Sequence, residues 1–415
     1  MISYAEALSL IDATVTPSPP ESRSLAGLLG AATVGPIASR LDVPPFANAA
    51  MDGFALRAAD TADASAERAA TFDVAGVVAA GDSPPAAPSS NACMEIMTGA
   101  PMPAECDTVI PIERVATETD ANGRILRIRI EESSRPGRNV RASGEDFTAG
   151  SAATDHACLL EPHSLMALAA TGNDIVDVRA AQRVAIITTG SELTAADAPD
   201  RPGTIRDSNG PYLEAAIARV GAVLTRRANA ADQPEQLDAA FAAAADDADI
   251  VLTTGGVSAG RFDLVPDAIV RAGGEIVFHK VAIRPGKPLL FARLPGGKLV
   301  FGLPGNPIAA AVGLRFFALR ALRRRLGLPP ECFHAAVSDD EVRKRADLYF
   351  FGKAQAHVDD GGTIHTRLLP GQESFKIKPL ASANCWAVVP DGRDAIARGD
   401  LIQVAPLYPS SFLQT

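Results

Sequence analysis

The sequence predicts a multi-domain chain of the α/β plus β class: a domain built on a parallel sheet, a small β domain ahead of it and another after it. Three observations carry this. Residues 183–327 alternate short apolar, β-branched runs with stretches at helical spacing, so strand follows helix follows strand. Residues 71–148 hold short alternating runs broken by Pro, Gly and Asn. Residues 332–415 have the same texture. At 415 residues the chain is long enough for roughly two to four domains.

Element by element, "SYAEALSLI" places its apolar residues at i, i+3 and i+4 and predicts a helix, and "SRSLAGLLGAATVGPIAS" predicts a second. "DVPPFANAAMDGFALR" is a loop feeding a strand. "FDVAGVVAAG", "ACMEIMTGA", "DTVIPIERV" and "RILRIRIEES" are the inserted strands, with "ANG" as a hairpin turn. "LEPHSLMALAATGNDIVDV" reads as helix then strand and joins 19–42 in a connecting unit. In the alternating region "RVAIITTG", "AVLTRRANA", "DIVLTTGG" and "KLVFGLPG" are strands. "NGPYLEAAIARVG" (closed by Gly221), "PEQLDAAFAAAADD", "FDLVPDAIVRAGG" and "NPIAAAVGLRFFALRALRRRLG" are helices. "RALRRRL" reads as a solvated face near a helix C-terminus, where the dipole favours cations. "GLPPE" is a linker. "CFHAAV", "YFFGKAQAHV", "TIHTRLL", "CWAVVP" and "DLIQVAPL" are the closing strands.

Composition excludes several function classes. There are 39 basic against 49 acidic residues, a net charge of −10, which disfavours nucleic-acid and anionic-membrane partners. Apolar residues make up 47% of the chain, enough for a sizeable core. No basic n-region precedes an apolar run at the N-terminus, and no stretch approaches about 18 uninterrupted apolar residues. The five cysteines are scattered without a C-x-x-C and read as reduced thiols of a cytoplasmic protein. The six histidines show no ligand spacing, and no Ser/His/Asp or Cys/His set stands out.

The candidate chemistry lies on three strand ends. These are Thr188-Thr189-Gly190-Ser191-Glu192, Thr253-Thr254-Gly255-Gly256-Val257-Ser258 and Gly302-Leu303-Pro304-Gly305-Asn306-Pro307. In a parallel sheet all three turns fall on the carboxyl edge, where open α/β sheets bind ligands. Glycine lets backbone approach an anion, and turn amides can bond phosphate oxygens. None of the turns matches G-x-G-x-x-G or a P-loop. Glu192, Asp207, Asp232 and Asp263 sit on turns after strands, as hard oxygen donors that suit Mg²⁺ held between carboxylates and substrate phosphates. Asp207 and Asp263 are equally placed to cap helices. Lys280, Arg284 and Lys287 bracket a Pro-Gly turn and could meet a polyphosphate. Asp52 in "NAAMDGFALR", and Arg135, Arg138, Arg141, Glu145 and Asp146 in "RPGRNVRASGEDFTAG", form two further clusters, each also readable as a structural loop.

The stretches "VPPFANAAMDGFALR", "EIMTGAPMPAECDTVIPIE", "RPGRNVRASGEDFTAG", "VAIITTGSEL", "IRDSNGPYL", "VLTTGGVSAGRFDLV", "VAIRPGKPLLF" and "GLPGNPIAA" occur in order over about 40–310. With them the chain resembles the MoeA family, the molybdopterin molybdenumtransferases, which include the gephyrin E domain. The resemblance implies an elongated homodimer of four-domain subunits. A molybdopterin-binding domain would comprise 1–18 and 179–327, and a connecting domain 19–42 and 147–178. An inserted β domain would span 43–146, and a C-terminal β domain 328–415. It implies adenylylated molybdopterin and molybdate as substrates, with Mg²⁺-dependent cleavage and release of AMP. By position Glu192, Asp232 and Asp263 are the acids near metal and pterin phosphate. Asp52, Thr98 and Asp146 are what the inserted domain offers to the other subunit. Lys280 and Lys287 fall on the basic loop, and Pro304 and Pro307 on the proline turn. Thr189, Gly190, Ser191, Asp207, Gly255, Gly256, Ser258, Arg284, Gly305, Asn306 and Ser374 complete the substrate set. A molybdopterin adenylyltransferase and molybdoenzyme clients are the implied macromolecular partners.

The chain departs from the family pattern in the C-terminal domain. Phe350 and Phe351 stand near an expected arginine, and Glu373 replaces a glycine beside Ser374. Either Lys353, Lys376 or Lys378 takes over the anion, or its handling is altered. The alternatives to the transferase are a non-catalytic pterin carrier and a nucleotide pyrophosphatase. The "NAAMDGFALR" block counts against the second.

Overall fold

The computed structural model describes residues 1–194, 201–231, 233–257 and 264–409. Its central element is a six-stranded sheet. From edge to edge the strands are Val223–Ala230, Arg183–Thr189, Ile250–Thr254, Lys298–Leu303, Leu290–Leu294 and Glu275–His279. The first four run parallel. Leu290–Leu294, unpredicted as a strand, runs antiparallel between its two neighbours, so the sheet is mixed. A short three-residue turn, Pro295–Gly297, leaves the chain no room for a helical crossover and forces the reversal.

Alternation along Arg183–Thr189 sends its side chains to two cores. Val184 and Ile186 join Ala7, Ile11, Leu213, Ile217 and Ile308 on one face. Ala185 and Ile187 meet Leu237, Phe241, Val265 and Ile269 on the other. Helices Tyr4–Thr14 and Asn209–Arg219 and the helical run 307–325 thus cover the first face. Pro234–Asp247 and Val265–Arg271 cover the second.

The inserted unit is a six-stranded sheet in the order Thr108–Pro111, Gly53–Leu56, Ala92–Ile96, Ala70–Val78, Ile125–Ile130 and Ala116–Thr119. The hairpin expected at "ANG" is present, with Gly123 at φ +81°. The C-terminal unit curls into a closed barrel. Tyr349–Val358 pairs with Ile364–Leu368, then come His334–Ser338, Leu401–Pro406 and Cys385–Val389, which returns to Tyr349–Val358. Closure leaves no free edge among these five strands. The two-residue strand Ile283–Arg284 joins outside it, with Arg284 opposite Phe350.

Two sequence expectations are overturned here. Residues 22–39 are not a helix. Pro20–Ser24 pairs antiparallel with Ile175–Arg179, and Gly27 and Gly30 adopt positive φ, which breaks any helix there. "RALRRRL" is not a solvated face either. Arg323 is buried and donates to the Pro329 carbonyl, Arg320 pairs with Asp12, and Arg325 bonds Gln182. The helix is wedged between the N-terminal helix and the linker, so its guanidiniums tie it to the segments packed around it.

The histidines are not all dispersed in space. His357 and His365 stack across adjacent strands with centroids 5.5 Å apart. His365 bridges Asp339 (3.0 Å) and Asp359 (3.2 Å), and the Asp339 hydrogen bond leads in raising its pKa above 6.5. The sign follows: this clip stabilises fully below 6.5 and fades as pH rises through the higher folded value. Thermal unfolding of wild type should therefore lose a component as pH rises above 6.5 that His365→Gln lacks. Parallel pH profiles for the two proteins would remove the clip from the account.

Candidate active site

The three glycine turns converge. Register places Thr188 beside Thr254 and Thr254 beside Leu303, so the strands end level on one edge. The Thr189 hydroxyl donates to the Thr254 carbonyl at 3.1 Å. A Cβ on Gly255 would lie 2.6 Å from the Thr189 hydroxyl oxygen and 2.8 Å from its carbonyl oxygen, at φ +86°. A Cβ on Gly305 would lie 3.6 Å from the Gly255 Cα. Glycine at 255 is therefore what lets the first two turns touch, while at 305 the separation is an ordinary van der Waals one. Together they floor a cleft of about 750 Å³.

Asn209 ties the floor together, a role its place in the sequence did not suggest. It is buried at the start of helix Asn209–Arg219. Its side-chain amide donates to the Gly305 carbonyl at 2.8 Å and reaches the Thr254 hydroxyl at 3.5 Å. The only hint in the sequence was a polar residue opening a helix.

The structure narrows the phosphate cradle. The Gly190 amide donates to the Ala230 carbonyl and the Gly255 amide to that of Leu303. Both are spent on joining the turns. Among the described residues the amides of Gly256, Gly305 and Asn306 have no such carbonyl partner and are available to an anion.

Thr189, Gly190, Glu192, Asp207, Gly255, Gly256, Pro304, Gly305, Asn306 and Pro307 all line the cleft. Ser191 is exposed on the first turn. The exposed Glu192 carboxylate stands next to Gly190, where an added Cβ would come within 2.7 Å of it. Asp207 is occupied: it accepts from the Gly210 amide at 2.9 Å and pairs with Arg227 at 3.0 Å, so it starts the helix. Asp232, Ser258 and Asp263 lie outside the described residues. As a hard oxygen donor lining the same cleft as the free turn amides, Glu192 fits a divalent cation shared with ligand phosphates. Among the described residues there is no group of three acids, histidines or cysteines suited to a metal.

Other expected residues sit elsewhere. Lys280, Arg284 and Lys287 do not line the cleft, although Pro288 does. Arg284 and Lys287 are exposed. Asp52 and Thr98 meet in the inserted unit. The Thr98 amide (2.7 Å) and hydroxyl (2.8 Å) both donate to the Asp52 carboxylate and hold its pKa below the ordinary value. Gly53, beside it, packs flat on the Ile110 carbonyl with no space for a side chain. Asp146 is exposed on the neighbouring loop, its amide bonded to the Val43 carbonyl. None of these three lines the cleft of its own chain.

Ser374 is brought in by the C-terminal unit. Its carbonyl accepts from the Ile308 amide at 2.9 Å, which docks the 371–377 segment against the third turn. The expected substitutes for a missing arginine have other duties. Lys353 is fully buried and donates to the carbonyls of Glu373 (3.1 Å) and Lys376 (3.0 Å). Burial lowers its pKa. Lys376 pairs with Glu373 at 2.8 Å. Lys378 is exposed at the start of a short helix, Lys378–Ser382. Phe350 and Phe351 are core residues, and Phe351 stacks on Phe316 with centroids 4.0 Å apart.

Comparison with known proteins adds the following. Residues 2–172 match the family model described as "MoeA N-terminal region (domain I and II)". Residues 185–324 match the "Probable molybdopterin binding domain", and 336–407 the "MoeA C-terminal region (domain IV)". A molybdopterin molybdenumtransferase of Synechococcus elongatus is 37% identical over 383 residues, which cover 89% of this chain and 90% of the relative. Molybdopterin molybdenumtransferase 2 of Mycobacterium tuberculosis is 35% identical over 378 residues, covering 89% and 91%. The solved structure of a molybdopterin biosynthesis MoeA protein from Pyrococcus horikoshii superposes with a TM-score of 0.83 at 28% identity, over 99% of this chain and all of that one.

Proposed function

This chain belongs to the MoeA family, and from that premise we propose that its cleft binds adenylylated molybdopterin, inserts molybdate and releases AMP. The chain is an enzyme of molybdenum cofactor biosynthesis, a molybdopterin molybdenumtransferase. The observation that carries the finer reading is the meeting of three glycine turns and the Ser374 segment in one cleft.

A phosphoanhydride carries its charge on oxygens, and its cleavage needs positioning and charge neutralisation more than covalent help from protein. Here the amides of Gly256, Gly305 and Asn306 hold phosphate oxygens, and Asn209 keeps two of the turns in register. Glu192, with Asp232 and Asp263 from the sequence reading, would hold Mg²⁺, which supplies Lewis-acid neutralisation of the phosphates when bound. In net terms one water adds across the anhydride: its oxygen bonds to one phosphorus as the bridging P–O bond breaks, which leaves one phosphate on AMP and one on molybdopterin. Ser374 lies beside the third turn and faces the incoming molybdate. Asp52, Thr98 and Asp146 act on the cleft of a second subunit, since none reaches the cleft of its own.

The test is AMP release from adenylylated molybdopterin and Mg²⁺, which molybdate should accelerate. Tight binding without molybdate-stimulated release would support a carrier instead. Release from many nucleotides would support a pyrophosphatase. Asp52→Ala and Glu192→Gln should each be inactive alone and regain activity when co-expressed, because a mixed dimer keeps one intact shared site. Absence of rescue would confine the site to one subunit.

A further inference from the structure

The cleft has a second chemical character that the phosphate reading does not use. Three large apolar side chains on its wall are exposed: Ile205 at 60%, Phe375 at 63% and Ile377 at 45%. They face a floor of Gly, Thr and Asn. Phe375 and Ile377 come from the C-terminal unit, and Ile205 from the short strand Ile205–Arg206 that pairs with Leu193–Thr194 after the first turn. An exposed phenylalanine carries no benefit for folding, and its place inside a polar cleft points to a ligand with an apolar or aromatic part.

The backbone on both sides of Phe375 is also held still. The buried Lys353 ammonium bonds the carbonyls on either side of it, those of Glu373 and Lys376. Gln372 clamps the Lys353 backbone, accepting from its amide at 2.9 Å and donating to its carbonyl at 2.8 Å. The Ser374 carbonyl is pinned to the Ile308 amide. The Glu373–Lys376 pair closes the turn, with the Lys376 ammonium 6.0 Å from the Phe375 ring centroid. With the backbone that presents the ring already fixed, a ligand stacking on Phe375 has only that side chain left to order.

We propose that Phe375, flanked by Ile377 and Ile205, is the stacking platform for a flat nitrogen heterocycle of the substrate whose phosphates lie on the glycine turns. This rests on the substrate assigned above, which contains two such rings, pterin and adenine. The buried Lys353 is then a positioning residue: it presents Phe375 and takes no part in anion binding.

The test is calorimetric binding to the whole protein, wild type and Phe375→Ala, with four probes: adenylylated molybdopterin, molybdopterin, AMP and inorganic pyrophosphate. Phe375→Ala should weaken the intact substrate about tenfold or more, as loss of one ring-stacking contact does. It should weaken only one of the two halves by a similar factor, which names the ring, and leave pyrophosphate unchanged. Phe375→Tyr should bind as wild type. Equal substrate affinity for wild type and Phe375→Ala overturns the platform while leaving the reaction standing. A parallel loss of pyrophosphate binding also overturns it, because the effect is then structural. Failure of wild type itself to bind the intact substrate overturns the underlying assignment instead.

Discussion

Gly255→Val is expected to reduce kcat/KM for molybdate-stimulated AMP release by about 100-fold or more, the scale on which small misplacements in an active site act. Gly255 holds φ +86°, and an added Cβ would sit 2.8 Å from the Thr189 carbonyl oxygen. A β-branched residue there is strained in its own backbone, which costs on the order of 1–3 kcal/mol. The clash has no flexible partner to absorb it, since backbone stands on the other side. The second turn must therefore move away from the first. That displaces the Gly256 amide and strains the hydrogen bond from the Gly255 amide to the Leu303 carbonyl. Circular dichroism should show an intact fold, because the strained residue lies at a strand end and both cores are untouched. Pyrophosphate affinity should fall with activity. A variant that binds pyrophosphate and turns over like wild type would remove the turn from the site.

The second large effect concerns stability. Glu331→Ala should lower unfolding free energy by about 3–5 kcal/mol in chemical denaturation. Arg315 is 2% exposed in its side chain and Glu331 10%, and the two form a bidentate pair with both bonds at 2.7 Å. The Arg315 Nε also donates to the Pro406 carbonyl at 3.0 Å, so one guanidinium joins the long helical run, the linker and the last barrel strand. Removing the carboxylate leaves a buried, uncompensated cation. Arg315→Met combined with Glu331→Leu should recover most of the loss, because burying two apolar groups avoids the desolvation of two ions. Similar losses in the single and double variants would show that the pair's charge is not the issue. If Glu331→Ala were as stable as wild type, the tie between barrel and sheet would rest on apolar packing alone, around Phe316, Phe351 and Trp386.

Much of the architecture was legible because period and turn chemistry are local. The 3.6-residue spacing of "NGPYLEAAIARVG" and "PEQLDAAFAAAADD" marked two helices within a residue or two of where they stand. The strands ending in Thr-Gly and Leu-Pro-Gly were equally plain. "SRSLAGLLG" misled for a physical reason: its leucines match a helical stripe, but two glycines at positive φ and a distant strand partner, Ile175–Arg179, override that pattern. Leu290–Leu294 was missed because an antiparallel return inside a parallel sheet has no signature of its own. Apolar runs of that length fit either direction.

The site divides in the same way. The three turns were readable as chemistry because glycine, threonine and asparagine at consecutive strand ends are local facts. Asn209, Lys353 and Phe375 were not, since each acts on backbone or space contributed by segments far along the chain. Asp207 shows the reverse: a carboxylate suited to metal on paper is claimed by Gly210 and Arg227 once the helix forms.

What the sequence determined by itself was most of the helices and strands and the sheet edge on which the three glycine turns fall. Those follow from side-chain period and backbone permission, which act within a few residues. Only the tertiary structure decided which amides remain free, which acids are spent and which cations are buried ties. Hydrogen-bond satisfaction and burial are properties of packing, and packing joins residues that the chain itself keeps hundreds of positions apart.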